Sequence, residues 1–363
     1  MQEWKDDFNA FNTWKVLFHI QKLRLIAKGL FPSPVTVDVD LSNACNQDCI
    51  YCNSKVYRKE TGFGTLPEEH LLRIANMLYD WGVESTCIGG GGEPTMSPSL
   101  SVFIEAVTDR GTEAGVITNG VRLNDRSIHT IADRCRFLGI SIDSCNLRIY
   151  EKMRGRDHLN TVKGNVLSLS ALKASTNSSL DLNAKVLIHP LNHKDLFDTA
   201  RICKDLGFNG IQFRPVAIDN IRGSDNKDRF SMEQYLSVIE DQVSRIREIE
   251  DESFSVFVVT HKFADDLGRK ISFKKCRATP LQAVFGADGW VYCCFNIRGY
   301  KEARICKHVP YPYQVIQEWG SARHKEVIDA IDPVNRCIRC TYNRYNEIIE
   351  KGILEDRMFY KFP

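Results

Sequence analysis

Between Val35 and Arg214, short apolar runs alternate with stretches of helical period, and this alternation limits the fold more than any other feature. Strands are predicted at Val35–Leu41, Glu84–Ile88, Gly115–Thr118, Phe137–Ile142, Leu180–Ile188 and Gly210–Phe213. Helices are predicted near Pro67–Tyr79, Pro98–Thr108, Asp125–Asp133, Leu159–Leu172 and Leu196–Leu206. Strands separated by helices pair in parallel through right-handed crossovers. Six such units fall short of a closed eight-stranded barrel. The expected fold is α/β: an open, partial (β/α)6 TIM-like barrel with its chemistry at the C-terminal ends of the strands.

Outside that stretch the pattern changes. Segment Arg222–Arg229 is polar and reads as a loop, followed by a helix over Met232–Ile249 and a strand near Phe254–Val259. After Lys275 cysteines become frequent and strands short; helical period returns near Tyr313–Ile331 and Tyr342–Leu354. Three regions are expected: an N-terminal helical extension (1–34), the barrel (35–264) and a smaller C-terminal domain (265–363). In the extension, Phe8, Phe11, Trp14, Leu17, Phe18 and Leu25 lie at helical spacing, which predicts a helix packed on the barrel.

Charge and hydropathy exclude some classes of partner. With 48 basic and 46 acidic side chains the net charge is +2, so electrostatics give no case for nucleic acid or an anionic membrane. Three acidic residues in Met1–Asp7 and no cleavage site after an apolar run argue against a signal peptide. No run reaches the roughly 18 apolar residues that span a bilayer. A cytoplasmic location is expected. Thirteen cysteines are many for such a chain, and their clusters read first as metal or cluster ligands.

Cys45, Cys49 and Cys52 stand three and then two residues apart, just after the first predicted strand. A loop with this spacing can fold three thiolates around one cuboidal iron–sulfur cluster and leave its fourth iron open to a small molecule. A zinc knuckle is the competing reading, but zinc takes four ligands and the loop holds no histidine.

Cys-x3-Cys-x2-Cys in this position resembles the signature of the radical S-adenosylmethionine (SAM) superfamily. The resemblance implies a [4Fe–4S] cluster on Cys45, Cys49 and Cys52, with SAM bound to the open iron. Reductive cleavage of SAM then yields methionine and a 5′-deoxyadenosyl radical that abstracts hydrogen from substrate; the cofactor supplies the chemistry and the protein the position. Tyr51 fills the aromatic position that in the family lies against adenine. Gly89-Gly-Gly-Gly-Glu93-Pro94, after the second strand, resembles the family's GGEP motif. That likeness assigns Gly91, Gly92 and Glu93 to the amino group of SAM and Pro94 to fixing the turn. Thr118-Asn119-Gly120 and Ser141-Ile-Asp143 are similar to its TNG and S-x-D motifs, which turns Asn119 and Ser141 toward the ribose and carboxylate of SAM. Arg154 and Arg214 are candidates to neutralise a carboxylate of SAM or substrate.

A second cysteine set comprises Cys276, Cys293, Cys294, Cys306, Cys337 and Cys340. Asp288-Gly289 between alternating apolar residues signals a tight hairpin, whose outgoing strand would bring a cysteine toward Cys276. Together with the late Cys337-x2-Cys340, this resembles a twitch domain, the shortened form of the SPASM domain. The likeness implies one auxiliary [4Fe–4S] cluster on Cys276, Cys294, Cys337 and Cys340. Cys293 competes with Cys294, since adjacent strand residues point to opposite faces. Cys306 would change the ligand count, and a structural zinc site is the alternative. The scattered Cys87, Cys135, Cys145 and Cys203 read as buried small hydrophobes.

The resemblance covers nearly the whole chain and implies a radical SAM oxidoreductase or epimerase. The expected reaction takes hydrogen from a small polar metabolite such as a sugar or aminocyclitol, with flavodoxin or ferredoxin as electron donor. A peptide or protein maturase is the second reading; segment 1–34 is shorter than the leader-recognition domain many of those carry. The molybdopterin cyclase is disfavoured because the chain ends Tyr360-Lys-Phe-Pro363 rather than Gly-Gly. A non-catalytic iron–sulfur or zinc protein is the third, and the glycine run and strand-end motifs count against it. No general base stands out: Lys185, His189, Asp143 and Glu318 read as ordinary strand-end or surface residues.

Overall fold

The computed structural model describes residues 13–216, 232–258, 271, 273–333, 337 and 340–354. Ten strands among them form one sheet: β1 (Thr36–Asp40), β2 (Ser85–Gly89), β3 (Glu113–Thr118), β4 (Cys135–Ser141), β5 (Asp181–Ile188), β6 (Gly210–Pro215), β7 (Ser255–Val258), β8 (Gln282–Phe285), β9 (Trp290–Tyr292) and β10 (Arg304–Lys307). Their order is β10-β9-β8-β1-β2-β3-β4-β5-β6-β7. Strands β1 to β7 are all parallel and follow chain order, as crossover helices require. All six predicted barrel strands are present, and the strand predicted near Phe254–Val259 adds to them as β7.

Alternation along each strand separates two faces. Val37, Val39, Ile88, Val116, Leu138, Ile140, Leu182 and Ala184 are buried toward the helices. Helices α3 (Glu68–Asp80), α4 (Leu100–Thr108), α5 (Asp125–Arg134) and α7 (Leu159–Thr176) cover them with Leu71, Ile74, Phe103, Ile104, Ile131, Val162 and Val166. Burying each such side chain contributes about 1.5–3 kcal/mol. The opposite face carries Asp38 and Asp40 on β1, Cys87 on β2, Gly115 on β3, Gly139 on β4, Lys185 on β5 and Arg214 on β6, together with the apolar Ile117 and Phe137. Two glycines clear this interior. A Cβ at Gly115 would lie 2.1 Å from the Phe137 ring, and one at Gly139 2.9 Å from Cε of Lys185.

The predicted hairpin forms at Asp288-Gly289, where Gly289 takes φ +84°. It does not make a sheet of its own. Strand β8 pairs in parallel with the free edge of β1, Asp38 opposite Val284, so the hairpin extends the barrel sheet and covers an edge that would otherwise be unpaired. The predicted Tyr313–Ile331 helix is broken into Gln314–Glu318 and Ala322–Ala330 by Gly320 at φ +81°.

Helix α1 (Ile20–Ala27) and the turn before it bury Val16, Leu23 and Ile26 against Leu281 and Ile349. The predicted apolar face is thus rotated: Leu17, Phe18 and Leu25 are exposed. Phe8, Phe11 and the loop Arg222–Arg229 lie outside the described residues. Cys135, Cys145 and Cys203 are buried as expected, whereas Cys87 is half-buried on the inner face, in register with Asp38. Among the described residues no helix is long and apolar enough to cross a membrane.

Candidate active site

The loop after β1 carries Cys45, Cys49 and Cys52 and is pinned on two sides. Gly92 N–H donates to Ser42 O (3.0 Å) and Glu93 N–H to Ala44 O (2.8 Å). Asp48 N–H and Ile50 N–H donate to the carbonyls of Arg154 and Met153 (3.0 and 3.1 Å). The glycine run makes the first contact possible. A Cβ on Gly92 would lie 2.2 Å from Ala44 O, and one on Gly91 2.5 Å from Asn43 Oδ1 and 2.6 Å from the Tyr57 ring. The loop and the glycine run are therefore one packed unit.

Its three thiols are half-buried, and Cys45 and Cys52 lie near enough to Cys49 to act on it. Burial pushes Cys49 up to about 11; Arg154 opposes that rise, while Asp143, Cys52 and Cys45 add to it. Such thiols stay protonated until a metal displaces the proton. Arg154 Nη1 lies 3.8 Å from Cys49 Sγ.

Asp143, on the turn after β4, organises the far side. Its carboxylate is fully buried and pairs with Arg154 of α6 (Leu147–Arg154), Oδ2 to Nη2 at 2.6 Å. Oδ2 also accepts from the Tyr51 hydroxyl, Oδ1 accepts from Leu187 N–H (2.8 Å), and Asn192 Nδ2 donates to the Asp143 carbonyl (2.6 Å). The Arg154 guanidinium stands 5.9 Å from the centre of the Tyr51 ring. Asp143 is thus committed to holding Tyr51 and Arg154 together beside Cys49 and is not free to act as a base.

Glu93 is equally committed. Oε1 accepts from Thr95 N–H (3.1 Å), Thr95 Oγ1 (2.8 Å) and the Thr118 hydroxyl, while Oε2 accepts from Asn119 N–H (2.8 Å) and keeps one lone pair. Burial raises this carboxylate and these hydrogen bonds lower it. Pro94 opens the short turn Pro94–Met96 that Glu93 caps. Asn119 reaches the cysteine loop through Nδ2 to Asn46 Oδ1 (2.7 Å). Ser141 is half-buried at the end of β4, in register with Lys185. Replacing Glu93 with alanine would strand four donors, of which Thr118 Oγ1 and Asn119 N–H are buried; a loss of at least ~2 kcal/mol is expected in denaturant unfolding.

The second cysteine set also converges. Cys276, Cys294, Cys337 and Cys340 line one small cavity with Phe273, Ile331 and Tyr342. The four thiols lie close enough that Cys276, Cys294 and Cys337 each raise Cys340 further, after burial. Cys293 is fully buried and does not line the cavity; after burial, Cys294, Cys276 and Cys337 each raise it further, and its carbonyl accepts from Gln282 Nε2 (2.9 Å). Cys306, on β10, faces Glu318 rather than these thiols. Among the described residues no three His, Cys, Asp or Glu side chains gather tightly enough for a single metal ion.

The family model described as the radical SAM superfamily matches residues 39–228. The chain belongs to the radical SAM superfamily. Members of that superfamily are enzymes that use a [4Fe–4S] cluster and SAM. Two curated radical SAM relatives are each 26% identical. The antilisterial bacteriocin subtilosin biosynthesis protein AlbA of Bacillus subtilis matches over 189 residues, 51% of this chain and 40% of that protein. The probable GTP 3′,8-cyclase of Methanocaldococcus jannaschii matches over 182 residues, 49% of this chain and 58% of that protein. The chain thus spans about half the length of these relatives. Streptococcus suis SuiB bound to S-adenosylmethionine superposes with a TM-score of 0.66 at 13% identity, over 94% of this chain and 76% of SuiB. The anSMEcpe structure with bound AdoMet gives 0.60 at 16%, over 86% and 88%. These likenesses show a shared fold.

Proposed function

We propose that Cys45, Cys49 and Cys52 hold the cluster at which SAM binds, and that Cys276, Cys294, Cys337 and Cys340 hold an auxiliary [4Fe–4S] cluster. The residues fit these groups. Next to Cys45, Asn46 Nδ2 is buried without a partner among the described residues, as expected where a polar atom faces a polar ligand. The auxiliary reading is carried by four thiols converging on one cavity. When bound, SAM and its cluster supply a radical able to take hydrogen from a substrate carbon. The protein's part is position. Gly91 and Gly92 admit the cysteine loop, Glu93 ties it to β3, and Asp143 orients Tyr51 and Arg154. Asn119 braces Asn46, and Ser141 stands at the rim of the interior. The reductant is a low-potential one-electron donor of the flavodoxin or ferredoxin class.

The substrate is a small polar metabolite that is oxidised or epimerised inside the barrel. The observation that carries this reading is the set of charged side chains on the interior face, Asp38, Lys185 and Arg214. Burial, then Asp40, hold Asp38 up at about 7, and burial, then Arg214, bring Lys185 down to about 8. Arg214 makes no ion pair with any described residue. Such groups suit hydroxyl, amino or acidic substituents. Peptide maturation is the second reading, supported by the names of the relatives: a bacteriocin biosynthesis protein and SuiB, also solved bound to precursor peptide. Anaerobic assays with SAM and dithionite separate the two. Stimulation of 5′-deoxyadenosine release by sugars or aminocyclitols supports the first; stimulation by peptides alone overturns it. Lys185→Met keeps the aliphatic stem across Gly139 and removes the charge. It is expected to leave substrate-free SAM cleavage intact and slow substrate turnover by about 10–100-fold, the worth of one hydrogen bond to a charged group.

A further inference from the structure

Asn346 lies on the helix Asn343–Glu347, fully buried beside the cavity of the second cysteine set. Its Oδ1 accepts from two backbone donors, Arg277 N–H (2.5 Å) and Ala278 N–H (2.8 Å). Those donors fix the orientation of the amide, because Nδ2 has nothing to accept with. The amide nitrogen must then face the other way. There it donates to Tyr342 O (3.1 Å) and lies 3.9 Å from both Cys276 Sγ and Cys340 Sγ. One N–H serves the carbonyl, and the other is shared by the two sulfurs.

We propose that Asn346 is a positioning residue that, through N–H···S hydrogen bonds to Cys276 and Cys340, raises the reduction potential of the auxiliary cluster. The proposal rests on the auxiliary-cluster reading above. An electron added to an iron–sulfur cluster spreads onto its sulfur ligands, so a donor aimed at those sulfurs stabilises the reduced state more than the oxidised one. Other donors serve the sulfurs singly: the N–H groups of Thr279 and Tyr342 serve Cys276 and Cys340, and Gln282 with the Asn296 and Ile297 N–H groups serves Cys294, whereas the Asn346 amide stands between two sulfurs. Apolar and aromatic side chains, Phe273, Ile331 and Tyr342, share the cavity, and burial disfavours added negative charge. Asn346 offsets that bias and makes the cluster a readier electron acceptor.

The test is an EPR-monitored redox titration of the full chain, anaerobically reconstituted, in the Cys45→Ala/Cys49→Ala/Cys52→Ala background that leaves only the auxiliary cluster. Asn346→Leu is expected to shift the potential negative. At a fixed poise the reduced-to-oxidised ratio should fall about tenfold, ~59 mV for one electron. Asn346→Asp keeps an acceptor for Arg277 and Ala278 but turns the donor into a negative charge, so its shift should be larger in the same direction. Should the leucine variant fail to assemble, the aspartate variant carries the test. About four irons retained with an unmoved potential overturns the tuning role, as does iron loss in both variants, which would leave Asn346 a structural part of the loop. An iron-free parent overturns the auxiliary-cluster reading itself, and this proposal with it.

Discussion

Gly92→Ala is expected to strip the protein of its SAM-site cluster while leaving the fold intact. The new Cβ would lie 2.2 Å from Ala44 O, 2.6 Å from the Asn43 carbonyl carbon and 2.6 Å from Ser42 O. All three are backbone atoms of the cysteine loop, so no side chain can swing aside to admit a methyl group. The loop must move, and the hydrogen bonds Gly92 N–H to Ser42 O and Glu93 N–H to Ala44 O go with it. Cys45 is the next residue in the chain. A cluster site held by three thiolates does not survive displacement of one of them, since each supplies one of only three protein bonds. Iron should fall from about eight to about four per chain, with SAM cleavage lost. The control is Gly164→Ala on the exposed face of α7, where a Cβ meets nothing. There alanine is expected to stabilise by up to about 1 kcal/mol, because glycine disfavours a helix interior. Full iron in Gly92→Ala would show that the glycine run does not brace the loop.

Asp143→Leu is expected to cost about 3–5 kcal/mol of stability, the usual result of removing one partner from a buried ion pair. Arg154 would be left charged in a site where its side chain is 6% exposed. The Tyr51 hydroxyl and Leu187 N–H would lose their acceptors as well. The informative comparison is Asp143→Leu/Arg154→Leu. If the penalty is the stranded guanidinium, the double variant is less destabilised than the single one, with a coupling well above 0.5 kcal/mol. Denaturant unfolding measures both. Additive penalties would mean that the pair does not act as a unit.

The parts of the site legible in the sequence are those whose chemistry is local. Cys45, Cys49 and Cys52 share one loop, and their spacing alone restricts the ligand they can hold. The glycine run was visible too, but its work was not: Gly91 and Gly92 are small because another segment's backbone lies against them, and such an approach leaves no mark in their own neighbourhood. The pairing of β8 with β1 is of the same kind. A hairpin can be read from Asp288-Gly289, but the edge it joins is set by contacts across most of the chain. Tyr51, Arg154 and Asp143 could each be singled out in the sequence, but they come from three segments, and nothing local shows that the Asp143 carboxylate is the partner of the other two. Asn346 gave no signal either, since an asparagine in a helix marks a site only once its amide partners are known. Cys87 read as a core thiol because strand alternation separates two faces without saying which one is the interior.

The most direct test of the whole account is iron and sulfide counting after anaerobic reconstitution, in wild type and in Cys45→Ala/Cys49→Ala/Cys52→Ala, with SAM cleavage followed under dithionite. The account predicts about eight irons in wild type and about four in the triple variant, with SAM cleavage abolished in the latter. Cleavage that survives the triple substitution would contradict the assignment of the SAM-site ligands. About four irons in wild type and none in the variant would contradict the auxiliary cluster.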